Sequence, residues 1–243
     1  MRSMRAKVGM AVVVSLQLAA CGGGDSAAKA RPAPVESTTV AARGATPELP
    51  APSPTGVPRV LFLGTSLTAG YGLDDPGHDA YPAVVQRLAD SAGVKAYVVN
   101  AGLSGETSAG ALRRVDWLLK QKPDVVVIET GANDGLRGLN PDSTAANIRE
   151  LIERVRKESP LARVLLVQME APTNLGPQYT REFHALFAKV AAAEHVPLAP
   201  FLLDHVAGIA RLNQGDGIHP TPEGARIAAH NLWPSLERVL TRK

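Results

Sequence analysis

The sequence predicts an α/β domain, a three-layer sandwich on a doubly wound, parallel, five-stranded sheet. Two observations carry this. Apolar runs of strand length recur and are continuous in Val, Ile and Leu rather than alternating, which marks strands covered on both faces. Each run is followed by a segment with helical apolar spacing, and a crossover of that kind must lay its helix back over the sheet, giving parallel strands.

The expected strands are "RVLFLG" (59–64), "KAYVVN" (95–100), "DVVVIET" (124–130), "ARVLLVQM" (162–169) and the shorter "VPLAPF" (196–201). Helical patterns lie between them at Tyr81–Ala92, Thr107–Lys120, Thr144–Lys157 and Tyr179–Glu194, and Thr221–Val239 forms a last helix. Asp142 and Ser143 are expected to cap the third of these, since short polar side chains accept from the open amides of a first turn.

Before this domain, Arg2, Arg5 and Lys7 precede an apolar run from Val8 to Ala20 that closes on Cys21, the pattern of an export signal and too short to span a membrane comfortably. "LAAC" (18–21) resembles the lipobox of bacterial lipoproteins, whose cysteine is lipidated and becomes the mature first residue. The alternative is a plain secretory signal cut nearby. The chain has 1 cysteine, so an intramolecular disulfide is excluded. Gly22 rather than Asp follows Cys21, which among lipoproteins points to the outer membrane and periplasm. Residues 22–57 are rich in Pro, Ala, Ser and Thr with few large apolar groups, a composition that cannot bury a core and reads as a tether. The folded domain is therefore expected over 58–243. The formal net charge of +3 resides in the signal, because Lys29, Arg31 and Arg43 cancel Asp25, Glu36 and Glu48. A near-neutral domain gives no reason to expect nucleic acid, and no protein partner is implied.

In a doubly wound sheet the loops after the strands share one edge, where ligands bind. Ser66 follows the first strand, and a serine there is either turn punctuation or a nucleophile. "GDGIHPTPEG" (215–224) holds Asp216 and His219 in a turn bounded by Gly and Pro. A carboxylate on one ring nitrogen holds an imidazole in the tautomer that takes a hydroxyl proton at the other, although such a pair also serves as a helix start or half a metal site. Gly105 in "SGET" offers a backbone N–H at the entrance of a helix, and Asn133 in "GAND" a side-chain amide directly after a strand. Both suit a developing oxyanion; both are also ordinary turn residues.

Together "GTSLTAGYG", "NAGLSGETSAG", "GANDGLRG" and "DGIHPTPEG" resemble the four blocks of the SGNH, or GDSL, hydrolases, in order across 58–243. The similarity is greatest to the bacterial branch of multifunctional thioesterases, lysophospholipases and arylesterases. It implies a flavodoxin-like hydrolase fold, with Ser66 as nucleophile, His219 as base and Asp216 as its orienter. The oxyanion donors would be the N–H groups of Ser66 and Gly105 and the Asn133 amide, with no metal or organic cofactor. Thr65 stands where the family usually has Asp, which removes a negative charge beside the nucleophile. Thr68 in place of a second glycine separates the block from the G-x-S-x-G elbow of the α/β-hydrolases.

Other residues receive plainer readings. His78, His184, His195, His205 and His230 lack a well-placed carboxylate; Asp204 and His205, being adjacent, are expected to point to opposite sides. Asp134 is expected to be structural, paired with Arg137 or nearby amides. Asp74, Asp75, His78 and Asp79 read as a solvated turn rather than a metal site. Substrate walls are expected from Leu103, Leu136, Leu139 and the loop 170–180 with Asn174, apolar enough to favour acyl or aryl groups over sugar. The function expected is a serine esterase acting on aryl or short- to medium-chain acyl esters, lysophospholipids and thioesters. The alternatives are an envelope polysaccharide O-deacetylase and a tethered, non-catalytic binding protein.

Overall fold

A computed structural model describes residues 54–242. The signal, Cys21 and residues 22–53 of the tether lie outside the described residues. Strands β1 (Arg59–Gly64), β2 (Tyr97–Gly102), β3 (Val125–Ile128), β4 (Arg163–Gln168) and β5 (Leu198–Phe201) form one sheet in the order β2-β1-β3-β4-β5. Every pair is parallel. The helices are α1 (Ser66–Ala69), α2 (Pro76–Asp79), α3 (Tyr81–Ser91), α4 (Ser108–Leu119), α5 (Ala132–Leu136), α6 (Pro141–Glu158), α7 (Pro177–Ala193) and α8 (Pro222–Thr241). One face of the sheet carries α3 and α8, the other α4, α6 and α7. The expected three-layer, doubly wound sandwich is thus the fold, and its winding reverses between β1 and β3. That reversal opens a crevice at the carboxyl ends of those two strands.

β1 and β3 are buried at every residue, as their uninterrupted apolar runs require. β2 departs from that expectation: as an edge strand it exposes Asn100 and half-buries most of its neighbours. It also starts and ends two residues later than its apolar run. The ladder with β1 continues to Gly64 opposite Gly102, and Gly102 allows it, because a Cβ there would stand 2.2 Å from the Ala69 backbone nitrogen. Helix α6 begins at Pro141, earlier than its apolar spacing indicates. Its cap is Asn140 rather than Asp142 or Ser143: Asn140 Oδ1 accepts from Asp142 N at 2.7 Å and Ser143 N at 3.2 Å. Proline has no N–H to satisfy and so opens a helix at no cost, which also explains why α7 starts at Pro177.

A polar cluster is buried where β1 and β3 end. Glu129 follows β3 and is 0% exposed. Its carboxylate accepts from Thr65 N at 2.9 Å, from Thr65 Oγ1 at 2.9 Å and from Thr68 Oγ1 at 2.8 Å. Tyr81 OH lies 2.7 Å from Thr68 Oγ1. Burial pushes the Glu129 carboxyl up to about 7, against the pull of the Thr65 and Thr68 hydrogen bonds. Burial, with the Glu129 charge behind it, holds the Tyr81 phenol well above its ordinary range.

A carboxyl whose folded value lies above its unfolded one favours the fold most when protonated, so this stabilisation is complete below about pH 4.5 and lost as pH rises through about 7. The shift corresponds to on the order of 3 kcal/mol. Glu129→Gln does not titrate. The unfolding free energy of wild type minus that of Glu129→Gln, from urea melts, should therefore fall by roughly that amount between pH 4 and pH 8. A difference independent of pH would contradict the assignment.

Candidate active site

Thr65, in extended backbone, follows β1 as the cap of α1, and Ser66 opens that single turn, which Gly70 closes in the left-handed conformation at φ +74°. A buried strand delivers the serine, and a sharp turn lifts its side chain to the sheet edge at 9% exposure. The partner loop is a short antiparallel closure in which Asn213 bridges Pro220 and Gln214 N donates to His219 O at 2.7 Å. Gly217, at φ +70°, lets the chain reverse within it. Gln214 Nε2 donates to Tyr71 O at 2.8 Å and Pro220 O at 2.9 Å, tying this loop to the one that carries Ser66.

Within the turn, Asp216 Oδ1 accepts from Ile218 N at 2.9 Å and His219 N at 3.0 Å, and Oδ2 lies 2.6 Å from His219 Nδ1. The hydrogen bond from the His219 ring, helped by these two amides, holds the Asp216 carboxyl down at about 2. An ionised carboxylate only accepts, so Nδ1 carries the imidazole proton and Nε2 keeps its lone pair. His219 Nε2 is 2.9 Å from Ser66 Oγ and in position to accept its proton. The Tyr71 ring packs on the His219 ring at 4.7 Å between centroids.

The two other loops are locked to one another. Asn133 Nδ2 donates to Glu106 O at 3.0 Å, and Arg137 Nη2 donates to Gly105 O at 2.9 Å. Asp134 accepts from Ser108 N at 2.8 Å, from Ser108 Oγ at 2.5 Å and from Thr144 Oγ1 at 3.2 Å. The expected structural part for Asp134 is therefore met by hydroxyls and one amide, not by Arg137. Arg114 pairs with Glu106 at 2.6 Å and reaches Gly64 O at 3.2 Å, which brings the loop back to β1. Gly105 is not at a helix entrance as expected. It stands before the Thr107 cap of α4, in a left-handed turn at φ +77°. Neither Gly105 N–H nor Ser66 N–H donates to any group among the described residues, and Asn133 uses one of its two amide hydrogens.

Ser66, Gly105, Asn133, Asp216 and His219 all line one crevice of about 600 Å³. Among the expected walls, Leu136 and the loop 170–180, through Glu170, Ala171 and Pro172, line it, while Leu103, Leu139 and Asn174 are exposed beyond it. The remaining apolar surface comes from Tyr71, Met169, Phe201, Leu203 and Ile218, which sequence reasoning missed. Met169 and Phe201 sit at the carboxyl ends of β4 and β5, and that position was the available signal.

The other histidines face solvent. His184 pairs with Glu170 at 2.6 Å, and His78 with Asp79 at 2.7 Å, while Asp75 caps α2. Asp204 and His205 do not diverge: His205 adopts φ +58°, which breaks extended alternation and leaves Nε2 3.6 Å from Asp204. No group of three or more His, Cys, Asp or Glu among the described residues is arranged to hold a metal ion.

Residues 62–227 match the model of the GDSL-like Lipase/Acylhydrolase family. Esterase TesA of Pseudomonas aeruginosa is 42% identical over 183 residues, covering 74% of this chain and 89% of the relative. Thioesterase 1/protease 1/lysophospholipase L1 of Escherichia coli K12 is 41% identical over 182 residues, covering 74% and 84%. The crystal structure of the psychrotrophic esterase EstA from a Pseudoalteromonas species, inhibited by monoethylphosphonate, superimposes with a TM-score of 0.71 at 32% identity, covering 76% of this chain and 100% of that one. Matched in sequence through all four loops that meet at the crevice, and in fold to a solved esterase over 76% of its length, the chain belongs to the GDSL-like lipase/acylhydrolase family, the SGNH ester hydrolases.

Proposed function

We propose that this ester hydrolase works through an acyl-enzyme on Ser66, with His219 as general base and Asp216 as its orienter, on aryl and short- to medium-chain acyl esters. The observation that carries the reading is the unbroken relay from Asp216 Oδ2 to His219 Nδ1 and from His219 Nε2 to Ser66 Oγ, opening on an apolar crevice. Ser66 Oγ attacks the acyl carbon while His219 Nε2 takes its proton. The carbonyl oxygen, now negative, receives the N–H groups of Ser66 and Gly105 and the second amide hydrogen of Asn133. As the tetrahedral species collapses, His219 gives the proton to the leaving alcohol or thiol. Water, deprotonated by His219, then attacks the acyl-enzyme and releases the acid and Ser66. Asp216 stays ionised down to about pH 2, so it steadies the imidazolium throughout.

The walls favour the substrate class. Met169, Phe201, Leu203 and Ile218 offer methylene and aromatic surface to an acyl chain or aryl ring, and few groups to a sugar. This sets the ester reading above polysaccharide deacetylation, and the relay sets it above a non-catalytic binding protein. The name of the Escherichia coli relative supports extending the range to lysophospholipids and thioesters.

The chain before the domain is read as an export signal at 1–21, a tether at 22–57 and a hydrolase domain at 58–243, with a lipid on Cys21 holding the enzyme to the cell envelope, its outer membrane facing the periplasm. The charged start, the apolar run and "LAAC" support it. Among the described residues no helix is long and apolar enough to cross a membrane.

Wild type should hydrolyse p-nitrophenyl acetate and butyrate and be labelled by a fluorophosphonate. Ser66→Ala should lose both, and Asp216→Asn should lower kcat by roughly a hundredfold to ten-thousandfold. Labelling that persists in Ser66→Ala would overturn the nucleophile, and an inert wild type the esterase reading. For the anchor, mass spectrometry of the mature protein from membranes should find a diacylglyceryl-modified Cys21 at the amino terminus; an unmodified terminus elsewhere would refute it.

A further inference from the structure

We infer that Glu129 is the positioning residue of the nucleophile: by gripping the Thr65 N–H and the Thr65 and Thr68 hydroxyls, its carboxylate fixes the turn that aims Ser66 Oγ at His219 and the Ser66 N–H at the acyl oxygen. The inference rests on the esterase reading above and concerns a group that the mechanism does not otherwise use.

The geometry is a clamp behind the serine. Glu129 directly follows β3, its N–H donating to Leu63 O of β1 at 2.9 Å, so its side chain is referenced to both central strands. From there it takes a backbone and a side-chain donor from Thr65, the residue before the nucleophile, and a side-chain donor from Thr68, two residues after it. The Thr65–Ser66 peptide is thereby held from both sides. Gly64 makes room for the clamp: a Cβ there would stand 1.8 Å from Thr68 Oγ1 and 2.8 Å from Glu129 Oε2.

Proton counting makes the clamp depend on charge. Thr68 has one hydroxyl proton and gives it to Glu129 Oε2, so Tyr81 must donate to Thr68 Oγ1. Every donor then points toward the carboxylate. If Glu129 is protonated, its own O–H needs an acceptor, and the hydroxyls of Thr65 and Thr68 are those at hand. Either choice reverses one of these bonds and leaves a buried hydroxyl proton without a partner, which loosens the turn.

The surrounding groups leave Glu129 as the member of the cluster able to change charge near neutrality. From α3, Tyr81 is held neutral by burial. From α4, Arg114 is neutralised by Glu106 where it reaches Gly64 O. Across Ser66, His219 is tied to the ionised Asp216. Burial brings the Glu129 carboxyl to about 7. Thr65 contributes by being neutral and a donor where Asp is usual in the family, so no second carboxyl competes for the clamp's protons.

The test is the pH dependence and the kcat–KM split for p-nitrophenyl butyrate, with the rate of fluorophosphonate labelling alongside. In wild type, log(kcat/KM) should fall more steeply than one proton per pH unit on the acid side, because His219 must lose a proton and Glu129 must be ionised; in Glu129→Gln it should fall with a slope of 1. At pH 8, Glu129→Gln should lower kcat roughly tenfold to a hundredfold with KM within about twofold, and slow labelling by the same factor. Thr65→Val keeps the backbone donor and loses the hydroxyl, and should lower kcat several-fold; with the wild-type profile it carries the test if Glu129→Gln does not fold. A one-proton acid limb in wild type, or a folded Glu129→Gln with wild-type kcat, overturns the inference while leaving the esterase reading intact. A wild type that neither hydrolyses nor labels overturns both.

Discussion

The hydrogen bond between Asp216 Oδ2 and His219 Nδ1, 2.6 Å long, is the constraint on which the rest of the site depends. It decides which ring nitrogen carries a proton, and hence whether Ser66 faces an acceptor or a second donor. The turn is built to protect that decision. Two backbone amides converge on the other carboxylate oxygen, so Asp216 is both oriented and kept charged, although much of its side chain is open to water. An exposed ion pair in water contributes little to stability. Here the return is orientation, because three donors leave the carboxylate one placement against the ring.

The fold supplies what the turn cannot, a fixed distance between loops that are far apart in sequence. β1 and β3 lie side by side in the middle of the sheet and are wholly buried, so the residues that follow them, Thr65 and Glu129 first, inherit the rigidity of the core. The loop after β2 is different, since its strand is at the edge. It gains its order from hydrogen bonds to its neighbours, from Ser108 to Asp134, from Asn133 to Glu106 and from Arg137 to Gly105. The Gly105 and Asn133 amides are thus held by a network of side chains, while Ser66 is held by strands and by a buried carboxylate.

Much of this was legible in the sequence. Continuous apolar runs alternating with helical spacing announce a doubly wound sheet because burial on two faces leaves no room for polar alternation. Ser66, His219, Asp216 and Asn133 stand in loops where Gly and Pro break those patterns. What was not legible has physical reasons. Gly102 reads as a loop residue, yet it continues β2, because the requirement it meets is the approach of the Ala69 backbone, a tertiary contact without a local signature. Asn140 and Asp142 are both good caps, and only the position of Pro141 chooses between them. Glu129 lay in plain view inside an apolar run, and its partners Thr65 and Thr68 are more than sixty residues away. The crevice walls were the least accessible of all: Leu103 and Leu139 are apolar loop residues that face outward, while Met169 and Phe201 enter from strands whose apolar character reads as core.

The measurement that tests the account most directly is a crystal structure of the protein after reaction with diethyl p-nitrophenyl phosphate, whose phosphorus mimics the tetrahedral acyl centre. The account expects phosphorus bonded to Ser66 Oγ, His219 Nε2 within hydrogen-bonding reach of an ester oxygen, and the phosphoryl oxygen roughly 3 Å from the Ser66 and Gly105 nitrogens and Asn133 Nδ2. Phosphorus on another residue, or a phosphoryl oxygen turned away from those three donors, would contradict it.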